Sequence, residues 1–420
     1  MDDLKTPSLT PSLTPPRVTP NLTPSLTATS SMGRSVVNLI KNILAAAMLA
    51  MPYGVSHSGV FPALLLCVFI GCLSGYTFAV LGIYCGEEKC GTYREICEKY
   101  LGPKSGPLID GILALYTLPI CIGYGVFVFD CLHRVLLELL PAGGWYTSRA
   151  FVGFVVTIFV ILPICSFSKI DSLTYTSLLG LGAILYCYIF VAVDLAQNAE
   201  QMESIISHAF WGPRSLLGLF PITNIYSACF LVQYNAPQFF FELRNPTNRR
   251  FTFLSFAAVI FVMMFTASFA IMGFARWGMK TPGNILTQYD SAYAVWIATS
   301  VSLLTTYPFD FDAGRRSVIS ALTHRFPDMN RTKIFWTTTL VLIPVFSTVS
   351  VLVDNLSLIV GLNGSLFGIT VGLTVPGLLI FQRAKCMQFA PKKFEKCLGL
   401  AVALLGVFLS VLGFVSLFVS

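Results

Sequence analysis

Charge is what this chain has least of. Asp, Glu, Lys and Arg make up 11% of its 420 residues, against about 25% in an ordinary soluble domain. So few solvating groups exclude a soluble enzyme, a coiled coil and a disordered chain. The net charge of +7 is small, and Lys and Arg in so apolar a chain belong in loops, so a nucleic-acid partner is excluded too. Metal signatures are missing. The twelve cysteines contain no CxxC pair, and the four histidines (His57, His133, His208, His324) are isolated. Most cysteines fall in apolar runs, where a thiol behaves as a small hydrophobe. There is no HExxH, no Gly-rich phosphate loop, and no N-terminal apolar stretch with a cleavage site. Asp290 follows a tyrosine but has no GxGD partner, which speaks against an intramembrane aspartyl protease. Neither an enzyme, a metal nor an organic cofactor is expected.

Apolar side chains, by contrast, form 55% of the chain, enough for about eleven membrane helices of roughly 20 residues. The first 34 residues stand apart. Thr-Pro pairs at Thr6, Thr10, Thr14, Thr19 and Thr23 forbid a helix and leave too little apolar surface for a core. This segment reads as a disordered tail, and a kinase acting on its Thr-Pro sites is the sharper alternative. From residue 35 to 420 the chain reads as one transmembrane domain. Eleven spans are expected at 36–53, 61–84, 108–132, 150–167, 175–193, 216–240, 251–275, 293–311, 334–353, 356–381 and 398–419. An amphipathic surface helix in 85–107, with Tyr93, Ile96, Cys97 and Tyr100 on one side, joins the second and third.

Loop charge gives an orientation. With the N-terminus in the cytosol, 21 Lys and Arg fall on the cytosolic side and 5 on the other, while Lys41 lies inside a span. The positive-inside rule favours that arrangement and puts Ser420 outside or in a lumen. Four sequons (Asn21, Asn330, Asn355, Asn363) are then expected to stay unglycosylated. Asp310 and Asp312, near Arg315 and Arg316, read as members of a local ion-pair cluster.

The first span carries the most chemistry. Asn38, Asn42, Ala45 and Leu49 share one helical face and are followed by Pro52. Amides and small residues before a proline suit a helix that breaks inside the membrane, which is tolerated only where the freed backbone lines a polar cavity. Close packing through small residues is the alternative. Lys41 lies ~9 Å past the start of the span at 1.5 Å per residue. It either snorkels back to the interface or points inward as a fixed or titrating cation, in space a sodium ion would need. The sixth span is interrupted likewise, with Asn224, Ser227, Gln233 and Asn235 between Pro221 and Pro237. Broken helices at corresponding places in two halves point to an inverted-repeat transporter.

At these residues the chain resembles the amino acid/auxin permease family, over nearly everything from Ser35 onward. Ala45-Ala46-Ala47-Met48-Leu49-Ala50-Met51-Pro52 takes the place of the family's G-x-G-x-L-x-x-P. Further matches are Gly91-Thr92-Tyr93 through Leu101-Gly102-Pro103, and Leu173-Thr174-Tyr175-Thr176-Ser177. Others are Glu242-Leu243-Arg244-Asn245-Pro246-Thr247, Gly283-Asn284-Ile285-Leu286, and Thr306-Tyr307-Pro308 through Arg315. Two departures stand out. Both glycines are alanine, and Lys41 replaces the asparagine common in sodium-coupled members, which looks like the proton-coupled, vacuolar branch. Gln233 stands where many members have histidine, whereas Asn235 keeps the family residue.

The resemblance implies an all-α, LeuT-like 5+5 core plus an eleventh helix, and a secondary active amino acid transporter in a plasma or vacuolar/lysosomal membrane. Its substrate site is expected at Asn38, Ala45, Ala46, Ala47, Met48, Ser227, Cys229, Phe230 and Asn235. Ion coupling is expected at Lys41, Thr305 and Thr306, although the two hydroxyls read equally well as bonded back to their own helix. Protons are the expected coupling ion, sodium the alternative. An amino acid sensor signalling through the tail is the rival from another class.

Overall fold

The computed structural model describes residues 30–44, 46–139, 144–166, 174–198, 212, 216–289, 292–326, 328–353, 363–386 and 393–419, leaving aside the side chains of Ala46, Leu216 and residues 416–419. The expectations placed on the Thr-Pro tail before Ser30, on Ala45, on the Ala46 side chain and on Asp290 lie outside these residues, as do those on Asn21, Asn355 and His208.

Every expected apolar run is mainly helical where it is described, the first and sixth with a break. The helices are α1 (Met32–Ile43), α2 (Met51–Ser58), α3 (Val60–Glu88), α4 (Tyr93–Leu101), α5 (Ser105–Leu139), α6 (Arg149–Val156), α7 (Leu162–Cys165) and α8 (Thr174–Gln197). Then come α9 (Leu219–Phe230), α10 (Ala236–Glu242), α11 (Asn248–Trp277), α12 (Tyr293–Arg325), α13 (Arg331–Leu352), α14 (Val375–Cys386) and α15 (Lys393–Val419). Among the described residues, seven stretches are long and apolar enough to cross a bilayer, and α1 with the segment Ala47–Ser58 makes an eighth, bent by 47°. The remaining three runs differ for physical reasons. Arg149–Cys165 is short, the sixth run is interrupted, and α12 carries serines, threonines, two aspartates and three arginines along a largely buried length.

The outward faces of the long helices are apolar, with Leu65 and Phe69 on α3, Phe159 in the fourth run, Leu185 on α8 and Phe408 on α15 exposed. In a bilayer that is the satisfied arrangement, because lipid tails solvate such side chains. The polar residues turn inward instead, so α12 packs extensively on α5 and α8.

Local signals set the boundaries. Thr92 caps α4 by accepting from the Glu95 amide at 3.1 Å, and Glu95 accepts from the Gly91 amide at 2.7 Å, a reciprocal arrangement akin to a capping box. Its apolar face is the expected one: Tyr93, Ile96 and Cys97 are buried. Tyr93 donates to the Val371 carbonyl at 2.8 Å, tying this surface helix to a π-helical stretch of the tenth run. Gly59 turns α2 into α3 at φ 82°, a region that favours glycine.

Candidate functional site

Both expected breaks are present, and they share one geometry. Leu44 ends α1 at φ −76°, ψ 76°, and Leu231 ends α9 at φ −91°, ψ 82°, close to an inverse γ-turn. At Leu231 that turn is closed by the Val232 amide donating to the Phe230 carbonyl at 3.2 Å. A short 3₁₀ segment follows each break, then a helix with Pro52 or Pro237 in its first positions, where a missing N–H costs nothing.

Helix ends inside an apolar body leave carbonyls that need donors. Here they come from other helices. Ser74 of α3 donates to the Phe230 carbonyl at 2.5 Å, and Tyr116 of α5 donates to the Leu231 carbonyl at 2.9 Å. Cys229 reaches the Ile43 carbonyl at 3.2 Å, joining the two breaks directly. Ser227 is fully buried beside Cys229 and Phe230, and its Oγ has no hydrogen-bond partner among the described residues. Neither polar atom of the Asn42 amide has one. Met48 is buried and Ala47 half-buried, so the break in the first run is lined by small and flexible side chains.

Lys41 does not snorkel. Its side chain is 0% exposed, and its ammonium donates to the Ser302 carbonyl at 2.9 Å, the Ser302 hydroxyl at 2.9 Å and the Thr306 hydroxyl at 2.5 Å. A cation thus sits among neutral oxygens of α12. The Ser302 carbonyl also accepts from Thr305 and Thr306 hydroxyls at 2.8 and 3.0 Å, so the back-bonded threonines of the alternative reading and the cation site coexist. Room for the lysine comes from Gly180 on α8, where an added Cβ would lie 2.1 Å from Thr305 Oγ1 and 2.3 Å from Lys41 Cε.

Other expected residues take different places. Asn38 donates to Thr174 of α8 at 3.2 Å. Asn235 lies beyond the second break, where its Oδ1 accepts from Arg316 at 3.0 Å. Arg316 also binds Gln238 and pairs with Asp312 at 3.5 Å. Gln233 donates to Ser74 and Thr77 of α3 at 3.1 and 3.0 Å. Asn363 is buried and donates to the Tyr116 carbonyl at 2.5 Å, whereas Asn330 caps α13.

One expectation is corrected. Asp312 joins the ion-pair cluster, at 2.5 Å from Arg315, but Asp310 does not. Its carboxylate points inward and accepts from Tyr124 at 2.9 Å and from Tyr234. These aspartates are two positions apart, so a helix turns them about 200° from one another. Ser302, Thr306 and Asp310 fall at i, i+4 and i+8, one polar stripe. That spacing was the available signal for Ser302 and Asp310, whereas Gly180 and Tyr116 carried none.

The family described as "Transmembrane amino acid transporter protein" matches residues 28–419. Vacuolar amino acid transporter 5 of Schizosaccharomyces pombe is 23% identical over 359 residues, covering 83% of each chain. A Danio rerio relative, provisionally named sodium-coupled neutral amino acid transporter 11, is 23% identical over 399 residues, covering 92% of this chain and 86% of its own. These relatives are named as transporters, not enzymes. A solved structure of MhsT with L-phenylalanine superimposes with a TM-score of 0.63 at 13% identity, covering 93% of this chain and 99% of that one. Mhp1, a nucleobase-cation symporter, gives 0.56 at 12% identity over 93% and 96%. The fold is that of the LeuT-like transporters, as expected, and with a family match over nearly its whole length the chain belongs to the transmembrane amino acid transporter family.

Proposed function

We propose that this chain moves amino acids across a membrane together with protons, by alternating access around its two breaks. The observation that carries the coupling is the Lys41 ammonium held among Ser302 and Thr306 oxygens. That niche bridges α1 and α12 through the Lys41 side chain. A sodium ion ~4 Å from a unit charge is repelled by ~4 kcal/mol at an effective dielectric of 20, nearly a thousandfold in affinity. Lys41 therefore does the bridging that a sodium ion would otherwise do.

The substrate's carboxylate and ammonium meet freed backbone groups around 45–48 and at Ser227, Cys229 and Phe230, with half-helix dipoles favouring the carboxylate. The unpartnered Ser227 hydroxyl and Asn42 amide support that placement, since a buried polar group without a partner costs about 1–3 kcal/mol. The loop-charge bias supports a cytosolic N-terminus, with the Thr-Pro tail as a kinase target. A glycan at Asn21 in eukaryotic cells would overturn that orientation.

Sodium is the competing ion, because one relative carries it in its name. The test is uptake into proteoliposomes across a panel of radiolabelled amino acids, with imposed proton or sodium gradients. An inward proton gradient should raise uptake, and replacing sodium by choline should leave it unchanged. Strict sodium dependence would sink the proton reading and leave Lys41 as a purely structural cation.

A further inference from the structure

The proton reading leaves open which group carries the proton. Lys41 is bonded to three oxygens of α12 and so holds α1 against that helix. Asp310 is the other charged side chain on the same stripe of α12. It is 4% exposed and lies one turn, about 6 Å along the axis, beyond Thr306. No Lys or Arg forms an ion pair with it among the described residues. Its oxygens are held by hydroxyls from two other elements, Tyr124 on α5 and Tyr234 just past the break in the sixth run.

Resting on the reading above, we propose that Asp310 takes up and releases the transported proton, and that its tyrosine partners convey its charge state to the break at Leu231. As a carboxylate, Asp310 accepts from both hydroxyls. When a proton from the aqueous side binds one carboxyl oxygen, that oxygen becomes a donor and must give its hydrogen to an acceptor. The tyrosine facing it then reverses to accept or lets go. Tyr234 is three residues past Leu231, so letting go removes one of the contacts that hold the second half of the sixth run to α12, and leaves those that Arg316 makes with Asn235 and Gln238. Release of the proton restores both bonds and the closed arrangement.

The surroundings are specific. Ionisable groups facing Asp310 are Lys41 from α1, Tyr116, Cys121 and Tyr124 from α5, and Tyr234. Those of other elements are engaged elsewhere: Asp194 of α8 with Arg276 and Tyr289, and Cys165 of α7 beside Arg315. The basic group that Asp310 senses is therefore Lys41, which also grips α12.

The test compares the full chain with Asp310→Asn in proteoliposomes, measuring gradient-driven accumulation and substrate exchange without a gradient. Accumulation should fall at least tenfold more than exchange, and the pH dependence of uptake should flatten. Gradient-driven accumulation by Asp310→Asn at wild-type level would overturn the assignment. A wild-type chain indifferent to the proton gradient would overturn the proton reading itself, a distinguishable failure. Should Asp310→Asn fail to fold, Tyr234→Phe decides. Removing one donor to the carboxylate should move the uptake–pH profile about one unit alkaline, and an unmoved profile would overturn the proposal.

Discussion

Lys41 and Asp310 are opposite charges buried against the same stripe of one helix, yet each is held by neutral dipoles. The lysine has a carbonyl and two hydroxyls; the aspartate has two tyrosines. Ion pairs elsewhere in the molecule behave differently. Arg276 pairs with Asp194 at 2.7 Å, and Arg149 with Asp130 at 2.8 Å. An ion pair fixes both partners, and breaking one in a buried place costs 3–5 kcal/mol. Dipoles from separate helices hold a charge more loosely and transmit its loss to those helices. The difference is one of the stripe and not of burial as such, since the buried Arg315 is paired with Asp312: the stripe through Ser302, Thr306 and Asp310 holds its charges by dipoles, which leaves them free to change.

The comparison breaks most severely at the lysine. Lys41→Met keeps the length of the side chain and removes the cation, so uptake should fall at least a hundredfold. Folding should survive, because no buried anion loses an ion-pair partner and the Ser302 carbonyl keeps its bonds from Thr305 and Thr306. Thermal unfolding in detergent within a few degrees of wild type, together with lost uptake, is the expected pair of results. Normal uptake would mean that α12 can be held without a cation.

Gly180→Ala attacks the same niche from the α8 side. Its Cβ would meet Thr305 Oγ1 and Lys41 Cε inside van der Waals distance, and overpacking of this kind costs about 1–3 kcal/mol. Both the unfolding temperature and the uptake should drop, uptake by roughly tenfold. Thr305→Ala in the same chain relieves the nearer clash and should recover part of each. Thr306→Val is milder still. It keeps the shape and removes one of the three acceptors of Lys41, about 1–3 kcal/mol of support. Uptake several-fold lower, with proton dependence intact, is expected in the same vesicles.

Much of this was legible from residue spacing. The breaks showed as amides and small residues before a proline in both halves, and the burial of α4 followed from Tyr93, Ile96 and Cys97. Lys41 was legible as a position but not as a direction. Snorkelling and burial depend on what faces the side chain, and its acceptors are 261 and 265 residues away. For Asp310 the sequence neighbourhood misleads: Arg315 is close along the chain, whereas helical phase puts Asp310 on the opposite face from Asp312. The hydroxyls that cap the broken ends, Ser74 and Tyr116, sit on unbroken apolar helices and announce nothing in sequence.

Tyr116→Phe supplies the smallest effect and the cleanest control. Its hydroxyl donates to the Leu231 carbonyl at 2.9 Å, in the same break that Tyr234 follows, and the two rings meet edge to face at 5.7 Å. Removing it deletes one hydrogen bond to a neutral acceptor, about 1 kcal/mol, so uptake should change less than about fivefold. Because Tyr116 makes no hydrogen bond to Asp310, the uptake–pH profile should stay where it is. Tyr234→Phe removes a hydroxyl of the same kind a few ångströms away, but from a carboxylate. Profiles recorded side by side on the two variants separate a hydroxyl that supports the backbone of the break from one that holds a charge. If both variants moved the profile equally, the tyrosines would be acting through packing at Leu231, and the contrast between the two buried charges would lose its functional meaning.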